Sequence, residues 1–465
     1  MAQDLFGNPI ADTDPETIAG IDAFIHGFLA YETTATKVIG AAERDPVASV
    51  IANAYAGFLW MMLEAPEAPR KARRYLERCE SVRSPLQRER QHTEILRAWI
   101  ADDVPGALSL IEQAVDAHPR DLALVKLYQY LAFNLGRFPS MLRIAEKALP
   151  AAGDIGWLHG LLAFAYEQCH LLPEAEAAAR QALRLTVKEP WAEHALAHVM
   201  VTQGRIDEGA AFLEAASHRW TGLNSFMSTH LWWHLALFYI SQGREADALA
   251  LYDGRIWGIE RDYSQDQIGA VSILARLELA GFDVGDRWTE LAPWLVVRAD
   301  DTTQPFLSLQ YLYGLRRAAR PEADALLQAI EDRARTAPDF VRGAWAEVAL
   351  PAALALDDYL HGDHAQAATG LGRVLPRMAE IGGSHAQRDL FEQVRLDAAI
   401  RAGRLESAQQ ALEQRRGFDP DGAPLNETLA RVYLALDLPG EARKAADRAA
   451  RTRAAHARAL EESTA

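Results

Sequence analysis

The chain of 465 residues has only two cysteines, Cys79 and Cys169. Two thiols 90 residues apart build neither a Cys-based zinc module nor a disulfide framework, and they point to a reducing compartment. With 21 prolines and 30 glycines, the composition excludes collagen-like and low-complexity classes. Positive charge is in deficit: 48 Lys and Arg against 64 Asp and Glu leave a formal −16. Such a chain repels phosphate backbones, so no nucleic-acid partner is expected. No apolar run reaches the roughly 18 residues of a membrane helix, and no membrane partner is expected. The opening MAQDLFGNPIADTDPE has neither a basic nor an apolar segment of the secretory type, so a cytoplasmic location is expected. Also missing are a P-loop, a strand-linked GxGxxG, a GxSxG elbow and an HExxH pair. Nucleotide-dependent and α/β-hydrolase chemistry are therefore disfavoured.

What is present is a period. The turn motifs DDVPGA, GRFPSM, HLLPEA and GRIDEG begin at Asp102, Gly136, His170 and Gly204, 34 residues apart each time. Twelve residues after each start stands an alanine, Ala114, Ala148, Ala182 or Ala216, small enough to let two helices approach. GREADA follows at Gly243 after a five-residue insertion near 221–225. GDHAQA at Gly362, GRLESA at Gly403 and DLPGEA at Asp437 continue the series. A 34-residue period of this kind is the tetratricopeptide helix–turn–helix signature. The expected fold is all-α: helical hairpins stacked into a curled α-solenoid with a concave groove or closed pocket. One helical repeat domain over 1–465 is expected, with clear repeats at about 89–256 and more at about 341–465. The stretches 1–88 and 257–340 read as irregular helices. The basic C-terminal run is expected to be a capping helix with a solvated face.

With the turn residue as repeat position 15, positions 2, 5, 6, 9, 12 and 13 fall within an arc of about 120° on the first helix. In tetratricopeptide repeats this arc faces the groove. It collects His194 and His198 from one repeat and His230, Trp233 and His234 from the next. The preceding repeat supplies Trp157, Gly160, Phe164 and Glu167. Lys126, Tyr130 and Asn134 come one repeat earlier, and Glu89 and His92 earlier still. Two chemistries suit four histidines. Paired imidazoles at i and i+4 can ligate a divalent metal such as zinc, which would activate water or polarise a carbonyl. Without metal, crowded imidazoles resist double protonation, so one stays neutral as a base while Glu167 orients it. The competing reading of each histidine is a satisfied polar residue at a helix seam; four at groove positions weigh against it. Trp191, Trp232 and Trp233 read equally as core filler, and Glu89 with His92 as a solvated helix start.

The segments HGLLAFAYEQC, EPWAEHALAHVMVTQGR, HLWWHLALFYISQGR and ALALYD, between His159 and Asp253, together with RERQH at 88–92 and IGGSHAQRDLFEQ at 381–393, resemble the tetratricopeptide-repeat protein 38 family. The resemblance extends over nearly the whole chain. It implies that Glu167, His194, His198, His230, His234, Asp253, Gln387, Arg388 and Asp389 stand at family-typical positions. In their own chemistry, Arg388 is a fork suited to a carboxylate, Asp389 is placed to hold it, and Gly382 and Gly383 allow a tight turn. The bland reading is a capping Ser384 with a structural Arg–Asp pair. The chain departs from the family pattern at Gln129 and Tyr130, where a His-Asp pair is usual, and within FLSLQ at 306–310, where the pattern has Asn-Asp-x-His.

Two functions follow. The first is a small-molecule enzyme or ligand-binding protein of hydrolase or lyase type. In it His194, His198, His230, His234 and Glu167 act as catalytic or metal-binding groups. Lys126, Tyr130, Asn134, Trp157, Trp233, Asp253 and Arg388 contact the ligand. The second is a non-catalytic scaffold that binds a peptide or protein partner in the groove. The sequence leaves substrate, metal and oligomeric state open.

Overall fold

The computed structural model of the chain describes residues 2–44 and 49–464. By contact density the chain divides into two units, Met1–Ala195 with Arg219–Met227, and Leu196–His218 with Ser228–Ala465. Both are built of helices; the only strands among the described residues are Ala2–Gln3 and Pro9–Ile10, paired antiparallel.

In the first unit, α1 (Pro15–Leu29), α2 (Lys37–Arg44), α3 (Val50–Met61) and α4 (Ala68–Ser81) precede the regular hairpins. These are α5 (Gln87–Ile100) with α6 (Val104–Ala117), α7 (Leu122–Asn134) with α8 (Phe138–Ala152), and α9 (Gly156–Gln168) with α10 (Leu172–Leu185). Several starts are written in the sequence as side-chain caps. Asp14 accepts from Thr17 N, Ser49 from Ala52 N, Asp103 from Gly106 N and Asp121 from Leu124 N. The five-residue insertion is captured by this unit. Leu223 forms an antiparallel bridge with Glu32, Asn224 N donates to Tyr31 O at 2.6 Å, and Lys188 Nζ donates to Thr221 O at 2.7 Å.

α11 (Pro190–Thr202) runs from the first unit into the second. The second continues with α12 (Ile206–Ala216), α13 (Ser225–Ser241), α14 (Glu245–Leu251), α15 (Ser264–Leu279), α16 (Arg287–Val296), α17 (Pro305–Arg317), α18 (Glu322–Thr336) and α19 (Asp339–Gly343). Then come α20 (Leu350–His361), α21 (His364–Val374), α22 (His385–Arg401), α23 (Leu405–Arg416), α24 (Ala423–Ala435) and α25 (Pro439–Thr464). The pairs α20–α21 and α24–α25 are again hairpins, and α25 is the expected terminal helix. Two single π-helical turns, Tyr252–Ile256 and Ala344–Ala349, interrupt the regular ladder.

All eight turn residues named from the sequence have left-handed backbone: Asp102, Gly136, His170, Gly204, Gly243, Gly362, Gly403 and Asp437, with φ from 56° to 89°. The left-handed residue lets the first helix end and the chain turn back into the second. The four spaced alanines are buried: Ala114, Ala148 and Ala182 at 0% exposure and Ala216 at 1%. The chain is all-α, composed of tetratricopeptide-like helical hairpins of the α-solenoid class. Among the described residues no helix is long and apolar enough to cross a membrane.

Candidate functional site

In the first unit, several residues on the expected groove arc are covered by the non-repeat N-terminal segments. Helix α1 packs on α7. Lys126 Nζ donates to Phe28 O and lies 3.1 Å from the Tyr31 ring centroid, and its exposure is 5%. Burial holds its ammonium well below the usual lysine range, with Glu189 opposing. Tyr130 donates to Glu64 Oε1 at 2.8 Å, and Asn134 is half-buried at the end of α7. Glu89 accepts from Ala11 N at 2.7 Å and from the Ser84 hydroxyl. Its neighbour His92 sits at 0% exposure, with Nδ1 2.9 Å from Arg88 O and Nε2 3.4 Å from Asp121. Burial takes His92 down to about 4, against the pull of Asp121. Glu89 and His92 are thus interior groups rather than a solvated helix start. Sequence reasoning missed the centre of this network: buried Arg88 pairs with Asp4 and Asp121, both at 2.7 Å.

Trp157 is half-buried, edge-on to Phe6 and His26. Trp191 stacks on His194 with centroids 4.4 Å apart, and Phe164 lies 4.6 Å from Trp191. Glu167 is fully buried and accepts from Gln168 Nε2 at 2.6 Å. Ahead of α11, Glu189 accepts from Ala192 N, capping that helix. Burial pushes the Glu189 carboxyl up to about 8, against the pull of Lys126.

The second unit gathers the remaining histidines. His198 stands on α11, one turn after His194; His230 and His234 are one turn apart on α13. The His198 and His234 ring centroids are 4.5 Å apart, and those of His230 and His234 4.8 Å apart. All three are buried, at 0%, 9% and 0% exposure for His198, His230 and His234. Trp233 stacks nearly parallel on His230 at 5.3 Å. Burial takes His230 down to about 3, with His198 adding to the shift, so this imidazole is neutral at pH 7. His385, the first residue of α22, meets His198 edge-on at 5.6 Å.

Beside His385 opens a cavity of about 310 Å³ between α13, α15, α22, α23 and α24. Leu237 and Ile240 supply apolar wall; Arg276, Asp389 and Arg415 supply charge. Arg415 grips Asp389 at 2.6 and 3.1 Å. Burial works against ionisation of Asp389, yet Arg415 and then Arg276 hold it well below the usual carboxylate range. Arg276, 3% exposed, donates to Ser272 Oγ at 2.6 Å and Ala386 O at 2.6 Å, both uncharged. Burial draws it down to about 10, with Asp389 opposing. Arg276 and Arg415 thus both act on Asp389, and Asp397, Asp419 and Arg431 also line the cavity. Asp419, also in the wall, accepts from Ser241 Oγ at 2.8 Å and is raised by burial.

Of the GGSHAQRD residues, Ser384 and Gln387 form a capping box on α22, and Arg388 donates to Gly383 O. The carboxylate partner expected for the neighbouring guanidinium is given to Arg415 instead. Asp253 pairs with Arg287 at 2.6 Å on the surface. Trp232 is half-buried beneath Arg255, 5.2 Å from its ring. Arg276 carried no sequence signal, because nothing in the period marks α15 as a neighbour of α22; Arg415 lies on α23, the partner of α22 across the Gly403 turn, but no motif singled it out.

No family model matches the chain. Among solved structures it is similar to the human IFIT1 dimer with PPP-AAAA, at 13% identity and TM-score 0.38, over 95% of this chain and 91% of that one. It is similar to the APC/C hetero-tetramer Cut9–Hcn1 at 12% identity and TM-score 0.36, over 94% and 86%. The TPR domain of P58(IPK) is similar at 14% identity and TM-score 0.22, over 81% and 99%. The tetratricopeptide-like class of this chain rests on its own turns and helix pairs rather than on these likenesses.

Proposed function

We propose that the chain is a non-catalytic tetratricopeptide scaffold of the cytoplasm, related to the tetratricopeptide-repeat protein 38 family, that binds an acidic peptide segment of a partner protein. The binding site is the cavity of the second unit. The observation that carries this reading is Arg276. It is buried in the cavity wall, its hydrogen bonds go to uncharged oxygens, and the carboxylate that acts on it, Asp389, is gripped by Arg415. A carboxylate entering the cavity meets the Arg276 guanidinium, and Leu237 and Ile240 accept the apolar side chain beside it. The absence of nucleotide and hydrolase motifs also favours binding over turnover.

The test is fluorescence anisotropy with two labelled peptides of equal length, one Leu/Glu-rich and one Leu/Lys-rich. The Leu/Glu peptide binds and the Leu/Lys peptide does not. Arg276→Met weakens binding roughly 10- to 100-fold, the loss of a hydrogen bond to a charged group. Equal binding of both peptides, or an unchanged affinity in folded Arg276→Met, would overturn the reading.

A further inference from the structure

We propose that His198, His230 and His234 form a binding site for a late first-row divalent cation, zinc foremost, with His385 as a fourth imidazole at its edge. One ring nitrogen from each of the three lies within 4.8 Å of the others, and the same holds for His198 with His385. Bonds of about 2.0–2.1 Å in tetrahedral array put ligand nitrogens about 3.4 Å apart. The rings therefore need to close by up to about 1.4 Å, a motion within ordinary side-chain rotation.

The local structure explains why these rings meet. His230 and His234 are four residues apart on α13, so they stack on one face. His198 reaches the same place from α11, its ring 4.5 Å from that of His234. Trp233 lies parallel to His230 and restricts its ring orientation. The donor set is all imidazole, which suits zinc, copper or nickel and does not suit magnesium or calcium. Three protein ligands leave a coordination position open, and His385 is placed to fill it or to hydrogen-bond what does. The site stands on different residues from the peptide cavity's charged groups, so either proposal can fail alone.

The experiment uses untagged full-length protein stripped with dipicolinate and titrated with Co²⁺ alone, then Zn²⁺. Visible absorption and metal content after gel filtration are the readouts. The expected result is one Co²⁺ per chain with the intense d–d bands of a tetrahedral nitrogen site, displaced by one Zn²⁺. His230→Asn/His234→Asn lowers affinity at least 100-fold, whereas His218→Asn, on the surface, changes nothing. Far-UV circular dichroism checks the fold. His198→Gln alone replaces the double variant should that one not fold, and it is expected to lower affinity at least tenfold. Absence of the cobalt bands in folded wild type overturns the proposal. So does stoichiometric metal in a folded variant.

Discussion

Gly209 offers a sharp test of how closely the hairpins pack. It lies buried in α12, where alanine is the better helix former by about 1 kcal/mol. On that ground alone Gly209→Ala would stabilise. A Cβ there would fall 2.3 Å from Phe238 Cζ and 2.4 Å from Cε1, on α13. Carbon atoms need about 3.5–4.0 Å, so the fully buried ring must shift by more than about 1 Å. Forced overpacking of this kind costs about 1–3 kcal/mol. The net expectation is a loss of up to about 2 kcal/mol. Phe238→Leu alone also destabilises, by leaving space over the glycine. The double variant should recover at least about 1 kcal/mol relative to the sum of the two, the coupling expected of side chains in contact. Urea unfolding, followed by circular dichroism with the slope held common, measures all four proteins. A Gly209→Ala variant that gains stability, with no coupling to Phe238→Leu, would refute the packing argument. The same repeat position holds Ala107, Met141 and Ala175 in the hairpins before it, all buried. Gly209 is thus the exception that accommodates an aromatic ring.

Two further outcomes are expected. His170 holds a left-handed turn at φ 57° without being glycine, so His170→Gly should stabilise by up to about 1 kcal/mol; unchanged or lower stability in urea unfolding would contradict this. Glu189 has a raised folded-state pKa, so its contribution is fully present below about pH 4.5 and is lost as pH rises through about 8. Glu189→Gln keeps an acceptor oxygen for Ala192 N but removes that loss. Its stability relative to wild type should improve steadily from pH 5 to pH 8, and a difference independent of pH would rule out the buried carboxylate as the cause.

The repeats were legible because their requirements are local. A left-handed turn every 34 residues selects glycine, or tolerates Asp102, His170 and Asp437, and a tight helix crossing selects alanine. The histidine pairs were equally legible, since spacing by four is a property of one helix. Periodicity was silent on the segments outside the repeat. The helical arc assigned Lys126, Tyr130 and Glu89 to an open face, yet Phe28 O, Glu64 and Ala11 N, all from the irregular first 88 residues, are their partners. The Arg88–Asp4–Asp121 network and the grip of Arg415 on Asp389 join residues whose proximity exists only after folding. Asp389, expected from the sequence to support Arg388, is gripped by a guanidinium from another helix, that of Arg415.

The bridge between Glu32 and Leu223 joins positions 191 residues apart (223 − 32), well beyond the 34-residue step between neighbouring hairpins. Closing a loop costs about (3/2)RT ln n, so closing this one as a free chain takes about 1.5 kcal/mol more than closing a 34-residue repeat. Contact order of that kind slows a chain that would otherwise zip from hairpin to hairpin. The insertion therefore adds a non-modular event to a modular fold. Hairpins α5 to α10 can form in sequence, but the bridge at Leu223 waits for α1 and the insertion to be in place together. With the ties of Lys126 to Phe28 and of Arg88 to Asp4, it makes the first unit more than a row of separable repeats.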